Sequence, residues 1–316
     1  MRNIISILVT SCFLVIIVSL LKPASWSQSI TGAEERGFWV DKTFAEPKYN
    51  LVVLGDSRVY RGISPSAIEA ALPRMRVLNF GFSSVGFFGD YLTGATLKLS
   101  PTANPPMLVL GISPNSLTSE AVENLHYFQE SRRSPLYQFL YSHFWKEIGF
   151  FDPLEPAHVL SDFAHVTNTF GFLEGEFWPY QEMFMDDGWN LSNRFPLRPD
   201  FALGSYRNNF KNNRVDEKIV TNLLARVCLW NDQGIVVFAF RMPTTAKMIA
   251  LENELSGFDE QEFAARFGES GGAWLEICGT CYASYDGSHL SSDAAIQLST
   301  DLGTLIAIIL NSSKAN

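Results

Sequence analysis

A serine near one end of the chain, and an aspartate with a histidine near the other, stand in settings that suit acyl transfer. Ser57 lies in Gly55-Asp56-Ser57-Arg58, directly after the apolar run Asn50 to Leu54, so its hydroxyl falls where a strand turns into a helix. Gly, Asp and Ser are also ordinary turn residues, and alone they specify no chemistry. At the far end, Tyr285-Asp286-Gly287-Ser288-His289-Leu290 has an Asp-x-x-His spacing that lets a carboxylate hold an imidazole three residues on. His289 is one of only five histidines. Together the three side chains would make a nucleophile, a general base and an orienting acid. His289 would remove the Ser57 proton while Asp286 held the correct imidazole tautomer.

The elements that must bring these groups together are legible as short apolar runs closed by turn residues. Asn50 to Leu54 before Gly55, Met75 to Phe80 before Gly81, Met107 to Leu110 before Gly111, and Gly234 to Phe240 before Arg241 read as buried strands. Trp274 to Cys278 would be a fifth. Helical stretches are expected over Ser64 to Leu72, with Ser64 as N-cap and Pro65 first in the helix, and over Gly86 to Leu99, Val215 to Asp232 and Ser291 to Leu310. Strands apolar on both faces, alternating with helices, predict an α/β domain with a parallel sheet covered on each side. Chemistry in such a sheet gathers at the carboxyl ends of the strands. Residues 116–214 break the alternation and hold 21 of the 42 aromatics. They are expected to form a mostly helical insertion, its rings making a core of their own or a wall beside the site.

The Gly-Asp-Ser turn and the late Asp-x-x-His resemble the first and last blocks of the SGNH, or GDSL-like, hydrolase superfamily. The resemblance covers residues 50–115 and 216–310. It implies a flavodoxin-like three-layer α/β/α fold with Ser57 as nucleophile, Asp286 as orienting acid and His289 as base. It also implies an oxyanion hole built from Ser57, Gly81 in Asn79-Phe80-Gly81-Phe82-Ser83, and Asn115. Asn115, in Gly111-Ile-Ser-Pro-Asn115, stands two residues later than the family's Gly-x-Asn-Asp places its asparagine. No cofactor and no metal are implied. The substrates would be an acyl donor and a glycan or other ester.

Ile4 to Leu21 is an uncharged stretch of eighteen residues after Arg2, and as a helix it would just span a bilayer. Residues 1–27 are expected to be a signal-anchor or a cleaved signal peptide, 28–49 a linker, and 50–311 the α/β domain. That puts the body outside the cytoplasm, tethered to the membrane by the N-terminal helix, or periplasmic or secreted after cleavage. An anchor followed by such a body resembles envelope polysaccharide O-acetylation proteins and membrane-tethered D-alanyl transfer proteins, which suggests a membrane acyltransferase partner. The formal net charge of -9 and the lack of any Lys/Arg block argue against nucleic acid.

Cys278-Gly-Thr-Cys281 is expected to be a disulfide or two structural thiols rather than a redox centre. His126, His143, His158 and His165 lack metal-ligand spacing, and Arg58, Arg61 and Arg241 are expected mainly in salt bridges. Asn190-Leu-Ser192 and Asn311-Ser-Ser313 match the glycosylation sequon. Trp145, Trp178 and Trp189 are candidates to line an acceptor site. The expected function is an exported serine esterase or O-acyltransferase working through a Ser57 acyl intermediate. The alternative is a catalytically inactive binding or scaffold module of an envelope polysaccharide complex.

Overall fold

The computed structural model describes residues 10–11, 38–123, 178 and 180–314. The expected N-terminal span, apart from Thr10 and Ser11, therefore lies outside the described residues. So do much of the insertion, the histidines at 126, 143, 158 and 165, and Trp145.

Along the chain the elements run β1 (Leu51–Gly55), α1 (Ser57–Gly62), α2 (Pro65–Ala71), β2 (Val77–Asn79), α3 (Gly89–Thr96), β3 (Met107–Ile112), a 3-10 turn (Pro114–Leu117) and α4 (Ser119–Glu123). The later elements are β4 (Gln181–Phe184), β5 (Asn190–Asn193), α5 (Leu203–Asn209), α6 (Glu217–Asp232), β6 (Val236–Arg241), α7 (Ala246–Leu255), α8 (Glu260–Glu269), β7 (Ala273–Trp274) and α9 (Ser292–Lys314).

Five strands form one parallel sheet in the order β2-β1-β3-β6-β7. Because side chains alternate across a strand, each strand feeds two cores. Val52, Leu54, Leu108 and Leu110 pack with Leu223, Val227 and Trp230 of α6 and with Tyr91 of α3. Leu51, Val53, Val109, Phe238 and Phe240 pack on the other face with Ile68 of α2 and Leu298, Leu302 and Ile306 of α9. Burial on both faces explains why these strands read as unbroken apolar runs. Over Ser292–Ser312, α9 has a mean hydropathy of 1.4 and the length to cross a membrane. Its leucines fill the core against α2, which accounts for the same composition.

Two expectations need correcting, and two helices are additions. The fifth strand is only two residues long, because after Leu275 donates to the Ala239 carbonyl (2.7 Å) the chain leaves the sheet for a loop closed by the Cys278–Cys281 disulfide. The described part of the insertion is not mostly helical, since β4 and β5 form an antiparallel hairpin with Glu182 opposite Ser192 and Phe184 opposite Asn190. Between β6 and β7 stand two helices, α7 and α8, that the sequence pattern did not single out. The buried face of α7 carries Glu252 beside Met248 and Leu251, so a charged residue interrupts the apolar stripe. Thr245 and Asp259 cap these two helices, each accepting a backbone N–H three residues on.

β3 approaches α1 so closely that a Cβ on Gly111 would lie 2.3 Å from Val59 Cγ2 and 2.9 Å from Met242 Sδ. Gly111→Ala is expected to destabilise the domain by about 1–3 kcal/mol through overpacking. Gly204→Ala on α5, where a Cβ meets nothing within 4 Å, should be neutral or slightly stabilising. Urea melts of the two variants provide the comparison.

Candidate active site

β1 ends at Gly55, where a Cβ would stand 2.3 Å from Val59 Cγ2 and 2.7 Å from the Gly111 carbonyl oxygen, so the turn into α1 admits only glycine. Asp56 is the N-cap of α1. One of its oxygens accepts the Arg58 N–H at 3.0 Å and the other accepts the Ser113 hydroxyl, which ties the end of β1 to the end of β3. Ser57 is thereby the first residue of a helix at the carboxyl edge of the sheet and is partly exposed. Its N–H is among those that a helix start leaves without an intrahelical acceptor.

The loop before α9 delivers the other two groups. Asp286 accepts the backbone N–H groups of Ser288 and His289 on one oxygen, each at 2.8 Å, and faces His289 Nδ1 with the other at 2.8 Å. His289 Nε2 stands 2.9 Å from Ser57 Oγ. With Nδ1 turned to the carboxylate, Nε2 is the ring nitrogen that faces the Ser57 hydroxyl. Burial pushes the Asp286 carboxyl up, but the neighbouring His289 charge and the hydrogen bonds from His289 and Ser288 outweigh it and hold it at about 2. It stays an anion through the working pH range. The Tyr285 ring stacks beside the imidazole, with centroids 5.9 Å apart. Gly287 turns the loop at φ 95°, and a Cβ there would meet the Pro199 carbonyl oxygen at 2.2 Å.

Beneath the three residues runs a buried ionic chain. Arg58, with 1% of its surface exposed, donates to Glu252, and the other Glu252 oxygen accepts from Arg241 at 3.0 Å. Arg241 also reaches Glu260 at 3.0 Å. Arg58 Nε donates to Ser288 Oγ at 3.2 Å, so the residue after Ser57 grips the residue before His289. Burial opposes the Arg58 charge, and Glu252 more than restores it, holding the guanidinium protonated above its usual range. The sequence pattern pointed to Arg58, Arg61 and Arg241 as salt-bridge partners, and each has a carboxylate; Glu252 and Ser288 carried no signal of their own.

The three expected oxyanion donors differ in their surroundings. Gly81 lies against α1, where a Cβ would stand 2.6 Å from Tyr60 N, but its N–H donates to Asn79 Oδ1 at 2.9 Å. The Gly81 carbonyl accepts from the buried Lys42 ammonium, which sits among the rings of Phe38, Tyr60 and Phe82. Asn115 is on the 3-10 turn after β3, and its side-chain amide has no hydrogen-bond partner among the described residues. Asn79 was visible in sequence only as a polar residue closing an apolar run. It also donates to the Val59 and Ile63 carbonyls and so caps the last turn of α1.

The hairpin of the insertion braces this site. Trp189 is buried and donates to the Arg61 carbonyl at 2.9 Å, so it is a packing residue rather than an open platform. Ser192 meets the Tyr285 hydroxyl at 3.2 Å, and Asn193 exchanges hydrogen bonds with Ser292. Asn190 is fully buried, which removes that sequon from modification in the folded protein. Among the described residues no group of three or more His, Cys, Asp or Glu side chains is placed to hold a metal ion.

Comparison of the chain with protein-family models, with curated proteins and with solved structures finds no match.

Asp286→Asn tests the electrostatics directly. A carboxyl depressed from 3.8 to about 2 stabilises the fold above pH 4, and this contribution is lost as pH falls through 2. The variant is expected to lose about 2 kcal/mol relative to wild type at pH 7, with the difference shrinking toward pH 2. Denaturant melts across that range measure it.

Proposed function

We propose that this chain is an SGNH-like serine acyl-ester enzyme, its sheet and flanking helices forming the flavodoxin-like three-layer fold of that superfamily. The observation that carries the reading is the relay of 2.9 Å from Ser57 Oγ to His289 Nε2 and 2.8 Å from His289 Nδ1 to Asp286. Two parts of the chain separated by 232 positions meet in donor-acceptor order. A structural role explains a buried Asp-His pair, but not a partly exposed serine at a helix start aimed at the free imidazole nitrogen.

In the proposed cycle, His289 takes the Ser57 proton as Oγ attacks the ester carbonyl. The tetrahedral oxyanion is held by the Ser57 N–H and the Asn115 amide, and protonated His289 returns its proton to the leaving alcohol as the acyl-enzyme forms. Water or a glycan hydroxyl, deprotonated by His289, then attacks the acyl carbon and releases Ser57. Gly81 joins as a third donor only by exchanging Asn79 for the oxyanion. The setting we propose is the cell envelope, with the body exported, an envelope glycan as acyl acceptor or ester substrate, and a membrane acyltransferase as donor partner. A second reading, a non-catalytic scaffold of an envelope complex, draws on the occupied Gly81 N–H.

A serine-reactive fluorophosphonate separates the two readings. Labelling at Ser57, located by peptide mass, is expected in the wild type and absent in Ser57→Ala and His289→Ala, with residual labelling in Asp286→Asn. A wild type that stays unlabelled while a control serine esterase reacts would favour the scaffold. Asn115→Ala is expected to lower kcat on a small activated acetyl ester by about 10²-fold or more with little change in KM, because its amide acts on the oxyanion and not on the ground state.

A further inference from the structure

Directly after β5, Arg194 lays its guanidinium on two aromatic rings. Its central carbon lies 3.8 Å from the Tyr180 ring centroid and 4.3 Å from that of Trp178, and its Nε is buried with no hydrogen-bond partner. No carboxylate pairs with it among the described residues. The Arg61 guanidinium packs on the same Tyr180 ring at 4.1 Å, and Glu182, the acid at hand, is taken by Arg61 and Asn190. Arg61 and Arg194 share the Tyr180 ring, Arg198 lies over Trp178 at 5.0 Å and Glu182 pairs with Arg61, so among the described residues the half-buried Arg194 charge is left without an ion-pair partner. Such an arrangement is costly unless an anion completes it.

The cluster also stands next to the relay. Tyr180 meets Tyr285 edge-on at 6.0 Å, and Tyr285 stacks beside His289. A guanidinium laid on aromatic faces keeps its in-plane N–H fork available, and that fork matches the two oxygens of a carboxylate or phosphate.

We propose that Arg194 is the recognition residue for an oxyanion, a carboxylate or phosphate group, borne by the glycan that enters the Ser57 site. The identity of the ligand as substrate rests on the acyl-ester reading; the anion site itself does not. Tyr180 and Trp178 hold the guanidinium flat, and the anion supplies the charge that Glu182 cannot share. Acidic sugars are thereby selected over neutral ones.

The test is calorimetric binding to the full chain carrying Ser57→Ala, with three probes: a neutral oligosaccharide, its uronic-acid counterpart and a sugar phosphate. At least one anionic probe is expected to bind about 10-fold or more tightly than the neutral sugar, with affinity falling as salt rises. Comparing the two anionic probes tells which oxyanion is preferred. Adding Arg194→Gln should bring the ratio close to one, and Arg194→Lys, which keeps the charge but not the fork, should restore part of it. Arg266→Gln removes an equal charge from α8 and should leave the ratio intact. Equal binding of neutral and anionic probes, or an anion preference that survives in a folded Arg194→Gln protein, would overturn the proposal. An unlabelled Ser57 with the Arg194-dependent preference intact would instead overturn the acyl-ester reading alone.

Discussion

Arg58 is fully buried directly after Ser57, and a guanidinium cannot discharge itself when taken out of water. Its carboxylate must be buried with it. Glu252 fills that need from the inner face of α7, Arg241 at the end of β6 shares the second Glu252 oxygen, and Nε takes Ser288 beside His289. One enforced charge pairing therefore docks α7 under α1 and fixes the distance between two loops remote in sequence. Losing one member of a buried pair of this kind typically costs about 3–5 kcal/mol, which makes the pairing a strong selector of this arrangement over others.

The carboxyl edge of the sheet is held together by shared polar groups. Asp56 reaches across to Ser113, and the Tyr91 hydroxyl accepts the Gly55 N–H and donates to the Phe80 carbonyl, so β1, β2 and β3 end in register around Ser57. From the outside, the hairpin of residues 181–193 bonds to α1, to the start of α9 and to Tyr285. Arg198 and Ala202 hold the carbonyls of Tyr285 and Asp286 at 2.7 and 2.9 Å. The Asp286–His289 loop is thus clasped from two sides, which holds in place an imidazole that would otherwise sit on a free loop. Lys42, from the segment before β1, joins the turn after β2 to the hairpin by binding the carbonyls of Gly81 and Gly188.

How Tyr180 and Arg194 fit this frame follows from the same electrostatics. Arg61 spends its charge on Glu182 to fasten the hairpin, and the brace then carries a second guanidinium beside the first with no second acid paired to it among the described residues. The insertion both supports the relay and sets the charge beside it.

Sequence alone was enough for the parallel α/β plan, because buried strands such as Leu51 to Gly55 and Met107 to Ile112 must be apolar on both faces and end in glycine where helices crowd them. Ser57, Asp286 and His289 were singled out by local patterns, a Gly-Asp-Ser turn after a strand and an Asp-x-x-His loop, and the fold brings the three within hydrogen-bond distance. Sequence did not reveal α7, whose buried face holds a glutamate, nor the hairpin, whose strands carry Asn190, Ser192 and Glu182 where an apolar alternation would be sought. Those polar residues make sense only with their partners in place, and the partners lie far along the chain: Arg58 for Glu252, Tyr285 for Ser192, Arg61 for Glu182. The fate of the Gly81 N–H was decided the same way, by an Asn79 side chain two residues off that closes on it once α1 is packed above. Local pattern records what each residue prefers, whereas the satisfaction of a buried polar group depends on what the fold brings to it.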